Sequence, residues 1–187
     1  MPPNRLSIVS QWMATATLWI IVLMLVLNAL SWIVPGAPQP GAKSGWALSL
    51  QDSLIAALNL DVSSLPAWQR TGAILITSTP LLALATGLWH LRALFQTYAR
   101  QDYFSPCGAT HLKRVGQFVA LWVLLGLLCS PLLSAWVTMM RPSGERLISI
   151  GLSGSDVVAL FLAGSIAIVA KIHEEASAIK AENQQFI

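Results

Sequence analysis

Four long apolar runs, separated by polar stretches, dominate the chain. The first extends from about Met13 to Val34, the second from Pro66 to His90 and the third from Val115 to Met139. The fourth covers about residues 154–171, of which only Val157 to Ala170 is free of charge. A helix that crosses a membrane needs about 20 apolar residues, because the hydrocarbon core is about 30 Å thick and each residue rises about 1.5 Å. The runs are continuous rather than alternating, which points to helices rather than barrel strands. Unpaired backbone groups are costly in lipid, so each run must close its hydrogen bonds internally. The pattern therefore predicts an all-α membrane protein, a four-transmembrane-helix bundle forming one integral membrane domain over residues 1–187.

The ends of the runs carry their own signals. Pro35-Gly36 stops the first, and Trp12, Trp19 and Trp32 supply interface anchors. Ser64 caps the second, with Pro66 in its first turn, where a missing N–H costs nothing. The short fourth run opens on a capping box, Ser153 with Asp156, and Lys171 can snorkel to the far interface. Beyond it, Ile172, Ala176 and Ile179 recur at helical spacing and Phe186 extends the stripe, so the helix is expected to continue over about 172–183. Pro80 and Pro131 interrupt the second and third runs and read as structural kinks, with nearby hydroxyls satisfying the freed carbonyls.

The connections are not featureless. Trp46, Leu48 and Leu50 alternate with polar or small residues, as do Ile148, Ile150 and Leu152. Both have period two on one side of the membrane, so a short extracytoplasmic β-ribbon pairing 46–51 with 147–152 is expected. Between the first of these and the second span, Asp52 to Asn59 fits an amphipathic helix at headgroup level.

Composition agrees with lipid as the solvent. Hydrophobic residues make up 55% of the chain and charged residues only 10%, against about 25% charged in soluble domains. The net charge of +3 divides into local clusters, which topology explains better than nucleic-acid binding. Lys and Arg set the orientation. Arg5, Arg92, Arg100, Lys113, Arg114, Lys171 and Lys180 fall on one side, and Lys43, Arg70, Arg141 and Arg146 on the other. The richer side should be cytoplasmic, which puts both termini inside a bacterial inner membrane and requires an even number of spans. The uncharged stretch from Leu6 to Ala42 is too long for a signal-peptide core of about 7–15 residues. The first run is expected to stay as a span.

Candidate chemistry is sparse. Cys107 lies in a polar connection and Cys129 in an apolar run, so no disulfide is implied. His90, His111 and His173 fall on the cytoplasmic side with Cys107 and Glu174, where helices of a bundle could gather them around a metal. The spacing has no H-x-x-x-H or C-x-x-C pair and no haem-attachment motif, so no metal site and no cofactor are assigned. No catalytic triad can be placed, and no enzymatic activity is expected. Gly116, Ala120, Ala163, Gly164, Ala167 and Ala170 offer small faces for packing the third span on the fourth.

Two stretches carry a family resemblance. One is Leu94-Phe95-Gln96-Thr97-Tyr98-Ala99-Arg100-Gln101-Asp102-Tyr103-Phe104-Ser105, leading to His111-Leu112-Lys113-Arg114-Val115-Gly116. The other runs from Ser155-Asp156-Val157-Val158 through Gly164 to Glu174-Glu175-Ala176, and then to Glu182-Asn183-Gln184-Gln185-Phe186. The chain resembles the uncharacterised bacterial membrane proteins grouped as DUF2975. In that family a short basic loop with an aromatic-Phe-Ser/Thr element joins spans two and three, and the last span ends in an acidic helix. This chain departs from the pattern at Arg100-Gln101-Asp102, where relatives often carry a glycine. The resemblance implies about four spans and, through neighbouring helix-turn-helix regulators of some members, membrane-linked regulation. The expected role is a non-enzymatic, multi-pass protein acting through protein contacts in sensing or regulation, as a homo-oligomer or with a membrane or cytoplasmic partner. A small transporter or channel component is the alternative, in which Thr77, Ser130 and Ser165 would line a cavity.

Overall fold

An apolar chain segment in lipid has no partner for its backbone except itself, and each of the four runs becomes one long helix. A computed structural model describes residues 5–33, 66–100, 106–140, 142 and 154–184. Its helices are α1 (Arg5–Ile33), α2 (Ala67–Ala99), α3 (Pro106–Thr138) and α4 (Gly154–Gln184). All four are long and apolar enough to cross a membrane. At about 1.5 Å per residue the 29 residues of α1 reach about 43 Å, and the 33 of α2 and α3 about 50 Å.

The helices outrun the apolar runs that predicted them. α2 continues past His90 to Ala99, and α3 begins at Pro106 rather than near Val115. Hydropathy reports only the part of a helix that lipid covers, whereas backbone hydrogen bonding continues into the polar flanks. Pro106 opens α3 because a proline in the first turn forfeits no intrahelical bond. Most of the stretch expected as a basic connecting loop is thus helical. α2 and α3 continue through Pro80 and Pro131. No strand occurs among the described residues, and the expected ribbon finds no support. Its segments, 46–51 and 147–152, lie outside the described residues, as do Asp52–Asn59 and the proposed cap Ser153.

The chain divides into two units. One comprises residues 1–21, 83–121 and 154–187. Its buried apolar side chains are mostly alanines: Ala14, Ala83, Ala109, Ala163 and Ala170, joined by Ile21, Leu94 and Val115. Lipid tails are as apolar as leucine, so helices associate in lipid by close packing of small residues rather than by hiding large ones. The large side chains accordingly point outward, as Trp12, Trp19, Phe161 and Ile168 do. Gly116 is the tightest point of the α3–α4 seam: an added Cβ would lie 3.0 Å from the Ala163 carbonyl oxygen and 3.4 Å from Ile166 Cγ2. Gly164, expected on this seam, has nothing within 4 Å and lies off it.

The other unit comprises residues 22–82 and 122–153. Ala73, Leu133 and Val137 form its core, with Ile74, Ile76 and Trp136 packed against them.

Candidate functional site

In the first unit the structure brings together two of the three histidines singled out from the sequence. His90 sits on the last third of α2 and His111 on the second turn of α3, both half-buried. Their Nδ1 atoms are 3.2 Å apart, within hydrogen-bond range. The ring centroids are 5.4 Å apart. That exceeds the nitrogen separation by about two ring radii, so the rings meet nearly head-on, nitrogen to nitrogen. Phe118 stacks on His90 at 5.7 Å and 24° and fixes the plane of that ring. One turn back along α2, a Cβ at Gly87 would come within 3.0 Å of Phe118 Cβ, so glycine permits the close approach that lets the imidazoles touch.

A neutral imidazole offers one donor and one acceptor nitrogen. A bond between two Nδ1 atoms therefore requires one ring to carry its proton on Nδ1 and the other to present a bare Nδ1, with its own proton on Nε2. The acceptor ring must be neutral, so the contact as seen holds at most one excess proton. On the same stretch of α2, Arg92 places its guanidinium over the Trp89 ring, 5.1 Å from the centroid.

His173 is half-buried on α4, and among the described residues no group of three or more His, Cys, Asp or Glu side chains is arranged to hold a metal ion. Cys107 is exposed and Cys129 buried, and both are free thiols.

The second unit holds polar contacts that the sequence reading missed. Gln69, 1% exposed, extends its Nε2 from the first turn of α2 to the last turn of α3, donating to the carbonyls of Trp136 (2.8 Å) and Val137 (3.0 Å). These carbonyls belong to the last four of a helix, which have no intrahelical donor. The favour is returned by Trp136, whose Nε1–H donates to the Gln69 carbonyl at 3.0 Å. The indole lies directly against Gly72, where any Cβ would collide with it, and meets Trp68 edge-on at 5.8 Å. A lone glutamine opening an apolar helix was the available signal, since a buried amide must find partners. Asn28 is a second such case: inside an uncharged run, it is buried and donates from Nδ2 to Ser78 Oγ at 3.2 Å, joining α1 to α2.

Of the hydroxyls considered for a solute path, Thr77 donates to the Ala73 carbonyl at 2.9 Å and Ser165 to that of Phe161 at 2.9 Å, each on its own helix. Ser130 is buried in the second unit. Thr77 and Ser165 thus satisfy their own backbones rather than present their protons to a cavity.

With this geometry in place, comparison with known proteins identifies the family. A model described as a protein of unknown function, DUF2975, matches residues 57–187. The chain belongs to the DUF2975 family. The match takes in α2, α3 and α4, and with them both histidines of the pair, the Gln69–Trp136 clasp and the Gly116 seam, while α1 precedes it. No curated protein and no solved structure matches the chain.

Proposed function

We propose that this DUF2975 member is a non-enzymatic, multi-pass protein of the bacterial inner membrane, with both termini cytoplasmic, that works through protein contacts in sensing or regulation. The orientation rests on the seven-to-four distribution of Lys and Arg. The contact role rests on α4. Only 11% of its most apolar window is buried within the chain, against 39% for α2 and 33% for α3. It attaches by the narrow line of Ala163, Ala170 and Ser177, and leaves Phe161, Ile168, Ile172 and Ile179 exposed. Its 31 residues reach about 46 Å, well beyond a hydrocarbon core of about 30 Å. Its later part, with Glu174 and Glu175, then stands in the aqueous layer, where exposed isoleucines favour a protein neighbour over water.

The test is site-specific photo-crosslinking in native membranes, with the reactive group at Ile172 or Ile179 and at Leu23 on α1 as a lipid-facing control. A discrete protein adduct from the α4 positions and none from Leu23 supports the reading. Failure of both α4 positions to trap any protein refutes it. A C-terminal fusion to a reporter active only in the periplasm checks the orientation independently, and activity there reverses the assignment.

A further inference from the structure

We propose that His90 and His111 form a proton-binding site whose second protonation parts the facing turns of α2 and α3. The two Nδ1 atoms meet head-on at 3.2 Å, a gap that holds a single hydrogen. When both rings are imidazolium, both Nδ1 atoms carry one, so the rings repel by contact and by charge. The pair must then separate, whereas with one excess proton or none it stays closed. The sign is fixed by the geometry: the contact is present at high pH and is lost at low pH, where the second proton binds.

Among the described residues, the fixed charge acting on His90 is Arg114 on α3, a cation that adds to a second positive charge. Lys113 follows on α3, exposed, and on α2 itself Arg92 is turned to Trp89. From α4, packed against α3 at Gly116, the described titratable side chains are Asp156, Lys171, His173, Glu174 and Glu175. Residues 7–21 of α1 carry no charged side chain. Phe118 holds the His90 ring from one face, so that ring cannot swing away without disturbing the α2–α3 contact at Gly87. A metal ion is the competing occupant, because two nitrogens at about 2.0–2.1 Å from one tetrahedral zinc are separated by a similar distance.

The experiment uses the full chain in liposomes, spin-labelled at Gln96→Cys on α2 and Lys113→Cys on α3, both exposed positions, with the exposed Cys107 changed to Ser. Pulsed electron–electron distance measurement is made at about pH 8 and about pH 5, bracketing the histidine range. A reversible longer-distance population at the lower pH is expected. It should vanish in His90→Gln and in His111→Gln, and persist in His173→Gln. A distribution identical at both pH values overturns the proposal, as does a change that survives in the double His90→Gln, His111→Gln variant. If a chelator alone reproduces the opening at the higher pH, the pair holds a metal and the proton reading fails. Should the variants not fold, histidine nitrogen resonances of the unsubstituted chain give the same decision. Two coupled steps more than about one pH unit apart support the shared site, and independent titrations at the ordinary value exclude it. The outcome is independent of whether α4 binds a partner.

Discussion

Replacing Gln69 with leucine keeps the side chain's approximate volume and removes its two donated hydrogen bonds, to the carbonyls of Trp136 and Val137. Each such bond contributes about 1 kcal/mol net, and a buried carbonyl left bare costs about 1–3 kcal/mol. Interhelical hydrogen bonds measured inside a membrane protein average only about 0.6 kcal/mol, because the unfolded chain in lipid also finds partners. Two bonds therefore set a floor near about 1 kcal/mol, and two stranded acceptors raise the figure toward about 4 kcal/mol. Gln69 is 1% exposed, so water has little room to replace its amide, and we expect a loss of about 2–3 kcal/mol. The assay is reversible unfolding in mixed micelles, followed by tryptophan fluorescence, with exposed Gln96→Leu as control. Trp136→Phe removes the returned bond to the Gln69 carbonyl together with part of the indole's packing against Gly72 and Trp68, and should lose more than the roughly 1 kcal/mol of the bond alone. The double variant should lose less than the sum, since the two side chains form one clasp. A Gln69→Leu loss below about 0.5 kcal/mol, or strict additivity, would mean that the clasp contributes no net stability.

The two glycines at the α3–α4 level should behave oppositely. Gly116→Ala drives a methyl into the Ala163 carbonyl at 3.0 Å and should cost about 1–3 kcal/mol in the same unfolding assay. Gly164→Ala meets open space and should be neutral or stabilising by up to about 1 kcal/mol through helix propensity; a loss there as large as at Gly116 would refute the assigned seam.

The spans were legible because lipid imposes a single requirement, about 20 apolar residues with self-satisfied backbone, and hydropathy reads that directly. Membership of DUF2975 was legible from the basic stretch after Leu94 and the acidic helix after Ser155, which fall inside the matched residues. The α3–α4 contact was legible as small residues, but which face of α4 they used was not, because Ala163 and Gly164 are neighbours in sequence and face different ways on a helix. The histidine pair was legible only as membership of one layer. His90 and His111 are 21 residues apart: His90 ends the second apolar run, and His111 precedes the third, where hydropathy gives no helix. Had the helices been carried to Ala99 and from Pro106, both histidines would have stood on consecutive helices separated by few residues in sequence, whose facing side chains can meet. The same reasoning applies to Gln69 and Trp136, which a search for charged residues passed over because both are neutral.

Within the first unit, α3 carries two contacts that differ in kind. Toward α2 it presents His111 and Phe118, side chains that both meet the His90 ring. Toward α4 it presents Gly116, which has no side chain and meets the backbone of Ala163 directly. A seam of backbone against backbone cannot absorb a displacement by changing rotamers, so α4 follows a rigid shift of α3 more closely than a seam of flexible side chains would allow. The proton site and the exposed face of α4 are then linked by one element, and the two proposals constrain each other. If both hold, the adduct yield from Ile172 should change over the same pH interval as the Gln96–Lys113 label distance, and His90→Gln should flatten both. A pH-dependent label distance with a pH-independent adduct would leave each site standing and break the link between them at the Gly116 seam.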